Sequence, residues 1–409
     1  MASLPQHYFV DSKYNFDLTI NMIPRHIEAQ LRKCFQQYPV VTLTGPRQSG
    51  KTTLVRATFR DKPYANLEHP STREFAQSDP EAFLAQFPDG AVIDEIQRVP
   101  ELTSYIQVIV DEKVSNGHYV LTGSHQFSLR EAVNQSLAGR TAILRLLPLS
   151  MAELCQHHPL PDVDTLMWQG LYPRVQTQGI APSQAYSDYF ETYVERDLRH
   201  ILQIKDLSVF QRFVRLCAGR IGQLVNLNSL AADTGISQPT AREWLSVLEN
   251  SFILYRLPPW HSNIPKRYIK SPKLYFHDTG LAIWLSGITH YEQLKNHPLR
   301  GAFYENLVIS EALKHFENHG IHAPLMFFRD QTGNEIDLLV PSGAKQLPVE
   351  IKSGLTLSPS WLDRLQWFRK TFTELSCEYA LLIHPREFMQ KRKHTIITNH
   401  SGFTEYLPH

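Results

Sequence analysis

Cysteine is scarce. The 409 residues hold four, Cys34, Cys155, Cys217 and Cys377. They lie far apart and form no C-x-x-C pair, which argues against a disulfide framework or a thiolate zinc site. Charge of one sign is lacking too. Forty-one Lys and Arg against 40 Asp and Glu give a formal net charge of +1, so any site for a polyanion must be a local patch. No apolar run approaches the ~18 residues that a membrane helix needs. The opening MASLPQHYFVDSK carries no apolar signal core. There is no fixed-period repeat and no low-complexity tract. These absences point to a soluble, cytoplasmic chain with no membrane partner. Apolar residues make up 42%, enough to bury cores in roughly two to four domains.

What is present begins with YPVVTLTGPRQSGKTTLVRATFR, which reads strand, loop, helix. Gly45, Gly50, Lys51 and Thr52 fit G-x-x-x-x-G-K-[ST]. The glycines let backbone N–H groups turn toward phosphate, and the start of the helix adds its positive dipole end. Gly45, Pro46, Arg47, Gln48, Ser49, Gly50, Lys51, Thr52 and Thr53 are therefore the expected ATP cradle. Lys51 would neutralise the β- and γ-phosphates, and the Thr52 hydroxyl would ligate Mg²⁺. A second apolar run, AVI, ends in Asp94 and Glu95. Asp94 is expected to hold Mg²⁺ through water, and Glu95 to polarise the attacking water. The strand in GHYVLTGS brings Thr122 and Ser124 to its end, where Ser124 could orient that water. Arg140, at the start of GRTAILRLLPLS, is a candidate finger for a neighbouring subunit's γ-phosphate, with Arg130, Arg145 and Arg196 as rivals. With PYANL as a further strand, residues 1–149 read as repeated βαβ units, a parallel sheet covered by helices.

These segments, with IPRHIEAQL, VIDEIQRVPEL, LTGSHQFSL, SLAGRTAILRLLPLSMAEL and SPKLYFHDTGLAIWL, resemble a prokaryotic family of AAA+-type ATPases with a C-terminal domain of unknown function. Ser49 stands where that family suggests a small apolar residue, and QGLYPR replaces Gly-Gly-Tyr-Pro. Neither change removes a phosphate contact. The resemblance implies ATP binding and hydrolysis, and assembly into a homo-oligomer.

Residues 150–204 are helical in pattern, with Tyr189, Tyr193 and Leu198 near one face, and suit a lid in an AAA+-like chain. Residues 205–285 contain helix-turn-helix grammar. A helix ends at Gly235, Ser237 caps the next, and Pro239 lies in its first turn. Lys266, Arg267, Lys270 and Lys273 then make a basic wing. Such a winged helix contacts DNA, with one helix in the major groove and the wing on phosphates, or serves as a protein-binding module. Asp278 is expected to cap a helix.

Residues 286–409 hold a second phosphate-seeking pattern. NEIDLLV, PSGAK and LPVEIKSG read as a hairpin that converges Asp337, Glu350 and Lys352, with Glu305 approaching from the helix GAFYENLVISEALKHF. Two carboxylates repel unless a hard cation sits between them, so Asp337 and Glu350 are candidate Mg²⁺ ligands, with Lys352 positioning the water. The set resembles the restriction-endonuclease-like PD-(D/E)xK superfamily. A salt-bridged surface hairpin, and a module that grips nucleic acid without cutting it, are the competing readings.

The expectation as a whole is an α/β protein. A P-loop parallel sheet is followed by a helical lid, a winged helix and a restriction-endonuclease-like α/β domain. It is read as an oligomeric ATPase acting on duplex or branched DNA. The alternatives are a nucleotide-switched protein-interaction ATPase and a Mg²⁺-dependent nuclease regulated by ATP.

Overall fold

In this computed structural model the described residues are 22–113, 115–124, 136–195, 206–261, 271–322 and 324–408. Arg130, Arg196, Leu198, Lys266, Arg267 and Lys270 lie outside them. The chain divides into two compact units, Met1–Pro148 with Glu317–Ile321, and Leu149–Phe316 with His322–His409. Among the described residues no helix is long and apolar enough to cross a membrane.

The first unit is built on five parallel strands: β1 (Val40–Thr44), β2 (Tyr64–Asn66), β3 (Val92–Asp94), β4 (Tyr119–Gly123) and β5 (Thr141–Arg145). Their order across the sheet is β2-β3-β4-β1-β5. Every residue of β1 is buried, as a central parallel strand covered on both faces requires. Its side chains alternate between two cores. Val41 and Leu43 pack with Ile27, Leu31 and Cys34 of helix α1 (Ile27–Gln37) and with Leu54 and Val55 of α2 (Lys51–Thr58). Val40 joins Ile93, Leu121 and, from helix α3 (Leu102–Glu112), Leu102, Ile106 and Val110. The chain runs from β1 out to β2, returns through β3 and β4, then crosses to β5 on the other side of β1. The phosphate loop thus opens at the switch point, beside the C-terminal ends of β3 and β4.

The second unit begins with α4 (Met151–His157), whose Ser150 cap and Glu153 form a reciprocal capping box. Helices α5 (Val163–Gln169), α6 (Pro173–Gln178) and α7 (Pro182–Tyr189) follow. Then come α8 (Leu207–Ala218), α9 (Leu227–Thr234) and α10 (Gln238–Asn250). Gly235, at φ 80°, ends α9, and the Ser237 side chain accepts the Thr240 N–H to start α10. An antiparallel pair, β6 (Leu254–Leu257) and β7 (Lys273–Phe276), comes next. Asp278 caps α11 (Thr279–Leu285) through the Leu281 N–H at 2.8 Å. It also accepts from Leu171 N at 2.7 Å and Tyr186 Oη at 2.7 Å, which fixes it as a structural carboxylate.

The rest of the unit is α12 (Arg300–Asn318), strands β8 (Met326–Arg329), β9 (Glu335–Ser342), β10 (Lys345–Ile351), β11 (Ala380–Ile383), β12 (Gln390–Arg392) and β13 (Thr395–Thr398), and α13 (Asp363–Thr371) between β10 and β11. The strands form one mixed sheet in the order β12-β13-β11-β10-β9-β8. β9 and β10 pair antiparallel, whereas β10, β11 and β13 run parallel. Trp260, Phe328, Leu365 and Phe368 fill the core of this region. Taken over the described residues the architecture is α/β.

Candidate functional site

The loop after β1 has the backbone that its glycines predict. Gly45 takes φ 153°, and a Cβ there would lie 2.1 Å from the Leu146 carbonyl oxygen, so no larger residue fits. Gly50, in the left-handed region, starts α2. Lys51 is buried, and its Nζ donates to the carbonyls of Gly45 at 3.0 Å and Pro46 at 2.8 Å. Burial lowers its pKa to about 8, against the raising influence of Glu95 and Asp94. Ser49 is fully buried, and its Oγ has no hydrogen-bond partner.

Asp94 ends β3 and is also buried. Thr52 Oγ1 donates to its Oδ2 at 2.7 Å and Tyr64 Oη to the same atom at 2.6 Å, while Thr122 Oγ1 donates to Oδ1. Glu95 follows in the left-handed region at φ 59°, a conformation that costs a non-glycine residue about 1–2 kcal/mol. The turn swings its carboxylate toward β4. There Ser124 Oγ donates to Oε2 at 3.4 Å and Gln97 Nε2 donates to the same oxygen. Burial raises the Glu95 pKa, and the Lys51 ammonium opposes the rise. Lys51, Thr52, Asp94, Glu95 and Ser124 are therefore brought to one point from three strand ends.

Arg140 is placed elsewhere. Its carbonyl accepts the Val40 N–H, so it sits at the N-terminal edge of the sheet. That is about 13 Å along β1 from the loop. Its guanidinium is engaged by both oxygens of Asp111 at 2.5 and 2.8 Å. Its rival Arg145 ends β5 at the loop side of the sheet, paired with Glu317 at 3.0 Å.

Three residues of this site escaped the motif reading. Tyr64 and Gln97 hold the two acids from outside the motif. Arg25, in the segment before α1, donates to Ser49 O at 2.7 Å and to Leu147 O at 2.7 Å. It ties the phosphate loop to the chain after β5. The segment IPRHIEAQL was the only trace of it in the sequence.

The C-terminal carboxylates also converge, with an unexpected guest. Asp337 Oδ2 accepts the Ile351 N–H at 2.8 Å and lies 3.6 Å from Lys352 Nζ. Glu350, fully buried, takes Lys352 Nζ on Oε1 at 2.5 Å, while its Oε2 has no partner. Burial and the nearby Asp337 raise the Glu350 pKa. Glu305 is reached by Tyr275 Oη and by Lys273 Nζ at 3.1 Å, and the same Nζ lies 2.5 Å from Glu335. Burial disfavours the charge on Lys273, but Glu305, Asp337 and Glu335 outweigh it and raise its pKa. Lys273 was expected in an exposed basic wing. It is instead the internal counter-ion of this cluster. Among the described residues no group of three or more His, Cys, Asp or Glu side chains is arranged to hold a metal ion. At the expected Mg²⁺ position, Asp337 and Glu350 are the two carboxylates, and Lys352 lies against both.

Residues 37–155 match a family described as AAA domain, and residues 300–401 one described as domain of unknown function DUF4143. Residues 160–292 match a second domain of unknown function, DUF8612. An uncharacterized protein of Mycobacterium tuberculosis is 30% identical over 376 residues, 91% of this chain and 82% of the relative. One of Haemophilus influenzae is 26% identical over 294 residues, 63% of this chain and 72% of the relative. Among solved structures, the Walker-type ATPase PABY2304 of Pyrococcus abyssi aligns with a TM-score of 0.45 at 15% identity, over 64% of this chain and 96% of that one. The P-loop and acidic strand end lie inside the AAA match and the carboxylate cluster lies mostly inside the DUF4143 match, so the chain belongs to the family of AAA-domain proteins that carry a C-terminal DUF4143 domain.

Proposed function

We propose that this chain hydrolyses ATP as a homo-oligomer and uses the cycle to act on DNA held by its second unit. One observation carries the hydrolysis. Lys51, Thr52, Asp94, Glu95 and Ser124 meet at the C-terminal ends of β1, β3 and β4, and that convergence supports the reading. Thr52 Oγ1 and Asp94 Oδ2, 2.7 Å apart, are oxygen donors of the kind Mg²⁺ prefers. Thr52 and Asp94 would hold Mg²⁺, which would offset phosphate charge. Lys51 would leave the Gly45 and Pro46 carbonyls for the phosphates. Glu95 would take a proton from the attacking water, and its raised pKa moves it toward the strength that a base needs near neutrality. Ser124 and Gln97 aim its Oε2.

The DNA reading rests on the C-terminal region. A helix bearing Glu305 packs in the same unit as a sheet whose β9–β10 hairpin carries Asp337, Glu350 and Lys352, and the resemblance of that set to restriction-endonuclease-like domains supports a nucleic-acid module. As its acids are held by Lys273 and Lys352, we assign it binding rather than cutting. A protein-interaction switch is the second reading, favoured by α10. Its exposed positions are Pro239, Arg242 and Glu243, which bring no net positive charge to a groove-reading face.

Steady-state ATP hydrolysis with duplex, branched and single-stranded DNA tests the proposal. Stimulation by one DNA form is the expected result. Turnover that ignores every form, at low salt and in excess, would transfer the proposal to the protein-switch reading. No ATP turnover under any condition would sink both.

A further inference from the structure

The only run of three consecutive basic residues in the chain is Lys391-Arg392-Lys393. It covers the end of β12 and the turn into β13. β12 is an edge of the six-stranded sheet, paired with β13 alone. β13 and β11 lie between it and β10, a separation of about 14 Å from the strand of Glu350. All six residues from Met389 to His394 are exposed. Among the described residues the three cations form no ion pair. Their side chains make one hydrogen bond, from Arg392 Nε to Gln390 Oε1 at 3.0 Å. Lys393 takes φ 49° in the turn. Glycine or asparagine suits that conformation better than lysine does, so the turn does not account for the residue. The carboxylate cluster has no positive charge to spare. Lys273 holds Glu305 and Glu335, and Lys352 holds Asp337 and Glu350. The cations at the sheet edge have no such partners.

We propose that the β12–β13 hairpin is the surface by which the C-terminal domain grips duplex DNA, with Lys391, Arg392 and Lys393 on backbone phosphates. This rests on the DNA reading above and gives it a site. β13 also pairs with β11, so the hairpin is not a free two-stranded ribbon of the kind that lies in a major groove. Its outer edge and its turn are what a duplex can reach. That geometry suits phosphates rather than base edges, so the hairpin positions a duplex without reading its sequence. Lysines on an edge strand have a second use, which is to keep sheets from pairing edge to edge. Charge of either sign does that, whereas a phosphate needs cations.

The test uses the full chain and labelled duplexes of unrelated sequence, read by fluorescence anisotropy across a salt titration. The combined variant Lys391→Glu, Arg392→Glu, Lys393→Asn keeps the edge charged and puts a tolerated residue in the turn. It should lose at least about tenfold in affinity at low salt, and its salt slope should be smaller by roughly 2 to 3, because three phosphates are no longer neutralised. The exchange Lys391→Arg with Arg392→Lys should bind as the wild type does. Wild-type affinity and slope in the charge-reversed variant would overturn the proposal and leave the DNA reading standing. No binding by the wild type to duplex, branched or single-stranded DNA at low salt would overturn both. A sequence preference that the variant loses would overturn the assignment to phosphates. Polyglutamate that displaced the duplex as well as unlabelled DNA does, at equal charge, would overturn DNA as the partner in favour of an acidic protein. One measurement needs no variant. Acetylation of Lys391 and Lys393 in the wild type, read by mass spectrometry, should slow when duplex is bound. Unchanged labelling of both lysines in the complex would overturn the proposal.

Discussion

At the scale of single residues, Lys51 sets a pH dependence. In the free site, burial holds its pKa at about 8, below the usual lysine value. Lys51 is therefore mostly charged at neutral pH and gives up its proton as pH rises through about 8. Polyphosphate reverses this, because an anion beside the ammonium favours the charged form. Nucleotide binding at pH 8 should take up about half a proton, and at pH 6.5 almost none. Calorimetry of ADP binding in two buffers of different ionisation heat reads this directly. Equal apparent enthalpies at pH 8 would mean that Lys51 is already fully charged in the free site. Glu95 gives a second prediction at this scale. Glu95→Gln keeps the size of the side chain but removes the proton acceptor, so ATP should still bind while turnover falls at least 100-fold. Turnover at the wild-type rate would reassign the base.

At the scale of elements, the phosphate loop was legible because its chemistry is local. Eight consecutive residues fix a loop between a buried strand and a helix start, and the acids at the end of β3 need only a strand to place them. Arg140 was read as a finger for a neighbouring subunit. The sheet register puts it at the edge away from its own loop, where Asp111 holds it. That placement bears on its own subunit's site and not on a neighbour's. The carboxylate hairpin was read from period-two alternation in β9 and β10, which is again local. Lys273 was not legible, because its partners Glu305 and Glu335 lie far along the chain, and near Arg267 and Lys270 in sequence it looked like surface charge. The structure gives it a different kind of consequence. Removing one partner of a buried ion pair leaves the other uncompensated, at about 3–5 kcal/mol. Lys273→Met should therefore lower stability by that order in thermal unfolding. If the lysine stands in for a cation among these acids, Mn²⁺ should restore part of the loss in the variant and leave the wild type unchanged. No response to Mn²⁺ in the variant would show that the cluster is a structural ion pair alone.

At the scale of the whole molecule, the balance of charge frames the choice between DNA and protein as the object of the proposed ATPase cycle. Forty-one basic and 40 acidic residues supply no general field to draw in a polyanion. Lys273, one of the four expected wing cations, is buried among carboxylates. If DNA is the object, binding would have to come from a small number of local contacts, with Arg242 the one exposed cation of α10, and each contact would release counter-ions. The salt slope counts them: log affinity falls with log salt at about 0.9 per phosphate neutralised on duplex DNA. A few contacts predict a shallow but finite slope, roughly 2 to 4, that diminishes by about one in Arg242→Ala. Fluorescence anisotropy of labelled duplex, titrated from low to moderate salt with and without the ATP analogue, measures it. A slope that steepens with the analogue would mean that nucleotide binding in the first unit recruits phosphate contacts in the second. A slope near zero under both conditions would leave no phosphate neutralised, and the cycle would then have to act on a protein.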